Sequence, residues 1–218
     1  MGTLRILIAD DHEVVRQGLR ILVETRSGWK VCGEAATGRE AVERTKKLKP
    51  DIVILDIAMP ELNGLEAARR ILNARPHTQV LILTIYESEE LVSQVLKIGA
   101  RAYMLKSDAG RDLIAAIESL SQGRPFFTSS VAQMVLEGYL ARADPASARA
   151  SARSRVSGRE REIIQLLTEG KSSKEIASRL NLSVKTVEAH RSNIMHKLGL
   201  DSMGELTRYA IRNKIIGA

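Results

Sequence analysis

The chain is short of the residues that mark several functional classes. It has one cysteine, Cys32, in 218 residues, so no internal disulfide can form, and a reducing cytosol fits this usage. No cysteines and histidines recur at zinc-ligand spacing, and His190 and His196 stand six apart, off a common helical face. No run of about 18 uncharged apolar residues occurs, and no basic segment leads into a long apolar one at the start. The expectation is a cytoplasmic protein that neither crosses a membrane nor is exported. Hydrophobic residues make up 44%, enough for one large core or two modest ones. Trp29 and Cys32 read most simply as structural.

Charge is unevenly placed. The total is +7, but residues 1–150 hold 20 Lys/Arg against 19 Asp/Glu, whereas residues 151–218 hold 13 against 7. A compact basic module at the C-terminal end points to a polyanion partner, with a merely solvated surface as the plainer alternative.

Short apolar runs at Leu4–Ala9, Val31–Ala35, Ile52–Leu55, Val80–Leu83 and Ala102–Leu105 alternate with amphipathic stretches at Val14–Val23, Ala41–Leu48, Leu65–Leu72, Leu91–Ile98 and Leu113–Leu120. This alternation predicts an α/β fold, a doubly wound five-stranded parallel sheet covered by helices on both faces. Residues 1–122 would form this domain. Residues 123–155 would connect it onward through a helix at about 129–142 and a linker, "ADPASARASARSR" (Ala143–Arg155), which has almost no large apolar residue. Residues 156–218 read as all-α, with four helices at Glu160–Leu167, Lys174–Leu180, Val184–Leu198 and Gly204–Ile215. Gly170, Asn181 and Gly199 fall at the turns and Ser183 at a helix start.

In an open parallel sheet, ligands bind beyond the C-terminal strand ends. Those ends carry Asp10 and Asp11 after the first strand, Asp56 after the third, Thr84 after the fourth and Lys106 after the fifth. Any one of them could simply mark where a strand leaves the core. Together they form a chemical kit. Clustered carboxylates repel one another, and a hard divalent cation such as Mg²⁺ is their natural neutraliser. Lys106 supplies a point charge for a phosphoryl oxygen and Thr84 a donor. His12 lines or caps this acidic rim.

The motifs "IADDH", "DIVILDIAMPELNGLEAARRI", "LILTIYE" and "GARAYMLKSD" resemble those of a response-regulator receiver domain over residues 4–122. The resemblance implies a flavodoxin-like fold and a phosphoacceptor role for Asp56, taking its phosphoryl group from a sensor histidine kinase. It also implies Mg²⁺ held by Asp11, Asp56 and the backbone carbonyl of Ala58, with Asp10 acting partly through water. Thr84 and Tyr103 would form a switch that responds to the phosphoryl group, and Ala58 and Tyr86 would tune its lifetime. Haloacid-dehalogenase-like phosphatases also form an aspartyl phosphate at a strand end. They need a second aspartate two residues on, where this chain has Ala58, so an enzyme is not expected.

The second and third of these helices are joined by only "NLS", which requires a tight helix-turn-helix. On a wheel of 100° per residue, Ile194 and Leu198 each lie within about 20° of Val187. Lys185, Ala189, Ser192 and His196 lie opposite, with Glu188 on their flank. Plain solvation would account for such a face, but the basic excess and the tight turn favour a DNA major groove.

"SGREREIIQLLTEGKSSKEIASRLNLSVKTVEAHRSNIMHKLGL" resembles the LuxR-type helix-turn-helix, so the whole chain is similar to NarL/FixJ-type transcriptional regulators. The resemblance implies that Glu188, Ala189 and Ser192 face bases of double-stranded DNA while Lys185, Thr186 and Arg191 contact phosphates. It further implies a homodimer on phosphorylation and RNA polymerase as a partner. "VSGRE" stands where Thr-Pro is common, which weakens the first helix start. The competing reading is a phosphorylation-gated module whose helical tail docks a protein.

Overall fold

The computed structural model describes residues 2–129, 131–133, 135 and 156–217, which fall within two compact units, Met1–Ala143 and Asp144–Ala218. In the first, the strands are β1 (Leu4–Ala9), β2 (Trp29–Ala35), β3 (Ile52–Asp56), β4 (Gln79–Thr84), β5 (Ala102–Leu105) and β6 (Phe126–Phe127). They pair in parallel in the order β2-β1-β3-β4-β5-β6. Helices α1 (Glu13–Glu24), α2 (Gly38–Leu48), α3 (Gly64–Ala74), α4 (Glu89–Ile98) and α5 (Ala109–Ser121) follow β1 to β5 in turn.

The period of two along each strand divides the core into two layers. Leu7, Val53, Leu55, Val80, Ile82 and Tyr103 pack with Val42, Leu65, Ile71, Leu91 and Val95 of α2 to α4. Ile6, Ile8, Ile52, Ile54, Leu81, Leu83 and Met104 face Leu19 and Val23 of α1 and Leu113, Ile117 and Leu120 of α5. Both strand faces are therefore removed from water, which is why the strands read as unbroken apolar runs. Each fully buried Ile or Leu contributes about 1.5–3 kcal/mol.

Among the described residues, the expected count of five strands is corrected to six. A two-residue strand is too short to show any alternation in sequence, but β6 pairs Phe126 and Phe127 with Ala102 and Tyr103. Phe127 packs on the first layer and Phe126 on the second. β3 and β4 also run further than expected at their C-terminal ends, where Asp56 and Thr84 are the last residues. Ser129, Val131–Gln133 and Val135 are helical, and Val131 is buried in the first layer. The rest of the helix expected at 129–142 and the linker Ala143–Arg155 lie outside the described residues.

The described residues of the second unit form four helices, α6 (Gly158–Thr168), α7 (Ser173–Leu180), α8 (Val184–Leu198) and α9 (Met203–Arg212). Ile163, Leu166, Ile176, Leu180, Val187, Ile194 and Leu206 form their common core. Lys197 Nζ, 2.9 Å from Glu160 Oε2, ties α8 to α6. Gly170, Asn181 and Gly199 adopt left-handed backbone at the turns, as their positions predict. Ser157 and Glu160 form a reciprocal capping box that makes a firm start for α6 despite its departure from Thr-Pro; Ser172/Glu175 and Ser202/Glu205 do the same for α7 and α9.

One glycine positions the strand-end loop. A Cβ on Gly64, the first residue of α3, would lie 1.9 Å from the Asp56 carbonyl oxygen, so only glycine lets α3 begin against the end of β3. Gly64→Ala should destabilise the first unit by about 1–3 kcal/mol through this clash. Gly110→Ala, at a helical site with open space around the new methyl, should be neutral or stabilising by up to about 1 kcal/mol. Urea unfolding of both variants distinguishes the two outcomes.

Candidate functional site

The sheet order reverses between β1 and β3, and this switch point is where a crevice must open beyond the strand ends. The structure brings Asp10, Asp11, Asp56 and Lys106 to that crevice. The alternation that buries Ile6 and Ile8, Ile52 and Ile54, and Met104 carries Asp10, Asp56 and Lys106 onto the same side of the sheet. Asp10 and Asp56 are nearly dry, at 1% and 3% exposure. Lys106, in a short 3-10 turn after β5, places Nζ 2.6 Å from Asp10 Oδ2 and 3.3 Å from Asp56 Oδ2.

The electrostatics follow from this crowding. Burial pushes the Asp56 carboxyl up to about 6; Lys106 opposes the rise and Asp10 adds to it. Burial works against the charged form of Lys106, but hydrogen bonds and charge from Asp10 and Asp56 outweigh it and hold the ammonium above its ordinary value. The Asp56 carboxyl thus sits beside an ammonium that two acids hold in place.

On the outer side of the crevice, ligand atoms of Asp10, Asp11 and His12 lie within 4.8 Å of one another. His12 does line the rim, its Nδ1 2.7 Å from Asp11 Oδ1, but its side chain does not cap α1. Asp56 falls outside that mutually close set and joins it through Lys106. Three carboxylates against one ammonium leave a surplus of negative charge on hard oxygen donors, which fits a divalent cation.

Thr84 and Tyr103 belong to the other side of the sheet, in the row of Val80 and Ile82. Tyr103 is fully buried. It is not a sheet-edge residue, because β6 covers β5. Sequence reasoning missed what joins the pair. The Tyr86 backbone N–H donates to Thr84 Oγ1 at 3.2 Å, and the Tyr103 hydroxyl donates to the Tyr86 carbonyl. One peptide segment thus touches both side chains.

In the second unit, Val187 and Ile194 of α8 point inward, while Lys185, Glu188, Ala189 and Ser192 are exposed and Thr186 and Arg191 half-buried. Ser183 Oγ accepts the Thr186 N–H at 3.0 Å and caps the helix. Three residues, Asn181 to Ser183, make the turn from α7, the spacing of a helix-turn-helix. The Ser173 hydroxyl of α7 donates to Glu188 Oε1, a contact between helices that sequence reasoning also missed.

Two families match in tandem: the response regulator receiver domain over residues 6–118 and the luxR family of bacterial regulatory proteins over residues 154–210. The chain belongs to the response regulators with a LuxR-type output domain. Oxygen regulatory protein NreC of Staphylococcus aureus is 37% identical over 215 residues, covering 98% of this chain and 99% of that one. The RcsB response regulator of Salmonella typhimurium is 28% identical with a TM-score of 0.66, covering 96% of this chain and 97% of that chain. A solved RcsB–DNA complex is 27% identical with a TM-score of 0.58, over 95% of this chain and 98% of that one. This response regulator is accordingly a phosphorylation-controlled regulator of transcription with a LuxR-type DNA-binding domain. Among the described residues, no helix is long and apolar enough to cross a membrane.

The raised Asp56 value has a consequence for stability. Folding favours its protonated form, so the stabilisation is complete below about pH 3.8 and is lost as pH rises through 6. With chelator present, Asp56→Asn should be more stable than wild type at pH 7.5 by about 1–3 kcal/mol, and the gap should close near pH 4. Urea unfolding at both pH values checks this; a variant less stable at pH 7.5 would contradict it.

Proposed function

We propose that Asp56 accepts a phosphoryl group from the phosphohistidine of a sensor histidine kinase and that this modification controls promoter binding by residues 156–218. The single observation that carries the reading is the buried Asp56 carboxyl beside Lys106 at the switch point of the sheet. An Asp56 carboxylate oxygen attacks phosphorus and the bond from phosphorus to the donor imidazole nitrogen breaks, its electrons staying on the ring. Lys106 faces the negative charge on the transferring group. Mg²⁺, held by Asp10, Asp11, Asp56 and the Ala58 carbonyl, would neutralise the phosphoryl oxygens. Val14 and Ile21 expose apolar side chains on α1, beside a cleft lined by Val15, Leu19, Leu22, Ala109 and Lys106, and offer the kinase a docking surface.

Phosphorylation adds charge and acceptor oxygens that draw the Thr84 hydroxyl, and the Tyr86 segment carries that change to Tyr103. The receiver (1–122) acts through the connecting segment (123–155) on dimerisation of the cytoplasmic protein and on its recruitment of RNA polymerase. On α8, Glu188, Ala189 and Ser192 read base edges, and Lys185, Thr186 and Arg191 contact phosphates.

The test is recovery of bound sites from random duplex DNA with and without acetyl phosphate. Wild type should enrich a two-fold symmetric site, more strongly after treatment, and Asp56→Asn should lose the dependence on treatment. Enrichment that ignores both treatment and Asp56 would refute the scheme. Lys185→Ala should weaken binding across sequences and reduce the salt slope by about 1; an unchanged slope would remove Lys185 from the phosphate contacts.

A further inference from the structure

The sequence places two serines in a row at the start of α7, and the cap needs only the first. Ser172 Oγ accepts the Glu175 N–H at 3.3 Å, and Glu175 Oε2 accepts the Ser172 N–H at 2.8 Å and its hydroxyl at 2.7 Å. The Ser173 hydroxyl takes no part in this box. It reaches across the turn and donates to Glu188 Oε1 on α8. Glu188 is exposed and Ser173 half-buried, so the contact lies at the surface where the two helices of the helix-turn-helix meet.

From this geometry, and resting on the proposed DNA-reading role of α8, we infer that Ser173 is a specificity-determining positioning residue that fixes the Glu188 carboxylate for base readout. A free glutamate on an exposed helix face samples several rotamers, and most of them point away from a groove. One hydrogen bond to Oε1 removes most of that freedom and leaves Oε2 and the second Oε1 lone pair available.

A carboxylate accepts and does not donate. Presented to the major groove it favours the cytosine N4 amino group and repels the guanine O6 and N7 acceptors. Held by Ser173, it discriminates at one base-pair position; released, it turns toward solvent and away from neighbouring phosphates, and the discrimination blurs. Ser173 adds no charge, so it acts on base choice and leaves the electrostatic part of binding alone.

The experiment is site selection from random duplex DNA by the full-length, acetyl-phosphate-treated protein as wild type, Glu188→Ala, Ser173→Ala, Ser173→Thr and the Ser173→Ala/Glu188→Ala double variant. It is followed by salt titration on the selected site. Thermal unfolding of each variant checks folding, and the Ser172 cap is left intact in all of them. Glu188→Ala should lose base preference at one position in each half-site. Ser173→Ala should blunt that same position by about three- to tenfold, the range one hydrogen bond supports, with the other positions and the salt slope unchanged. Ser173→Thr should restore the preference, and the double variant should match Glu188→Ala.

A Ser173→Ala profile identical to wild type overturns the inference, as does flattening at every position alike. Either result leaves the DNA-reading assignment of α8 standing if Glu188→Ala still changes its one position. An unchanged profile for Glu188→Ala overturns both the inference and the base-reading role of Glu188. Failure of wild type to enrich any site overturns the promoter-binding account on which the inference rests.

Discussion

The first unit is organised around one ammonium group shared by two nearly dry carboxylates. Lys106 stands between Asp10 and Asp56 where the sheet order reverses, so three separate strands must end in register for the contact to exist. The apolar runs of β1, β3 and β5 hold those ends rigid. Gly64, by admitting α3 against the Asp56 carbonyl, keeps the loop that follows from displacing the acid. Desolvation, which raises the titration of a buried aspartate, is offset in part by the lysine.

The same alternation separates the charged cluster from Thr84 and Tyr103. Asp10, Asp56 and Lys106 continue the rows packed by α1 and α5, whereas Thr84 and Tyr103 continue those packed by α2 to α4. The Tyr86 peptide, accepting from Tyr103 and donating to Thr84, is the physical link between a strand-end hydroxyl and a buried aromatic. Thr84 and Tyr103 thus each hydrogen-bond to the backbone of the same residue.

Much of this was legible in the chain itself. Double-sided burial writes strands as continuous apolar runs, so β1 to β5 and the rim residues could be placed, and left-handed turns required Gly170, Asn181 and Gly199. The period of α8 separated Val187 and Ile194 from the exposed face. What escaped were contacts with no periodic signature. β6 has only two residues, and its signal is the pair Phe126–Phe127 gaining opposite faces. The Tyr86 link is made by backbone atoms, which any residue would supply. The Ser173–Glu188 bond spans 15 positions; its one trace is a second serine beyond the one that the cap requires.

The central claim is that this geometry makes Asp56, and no neighbouring acid, the phosphoryl acceptor. The most direct measurement is to treat the full-length protein with acetyl phosphate and Mg²⁺, trap the acyl phosphate by borohydride reduction, and locate the reduced residue by peptide mass spectrometry. The account predicts reduction at residue 56 alone. Reduction at Asp10 or Asp11, or an equal yield of trapped product from Asp56→Asn, would contradict it.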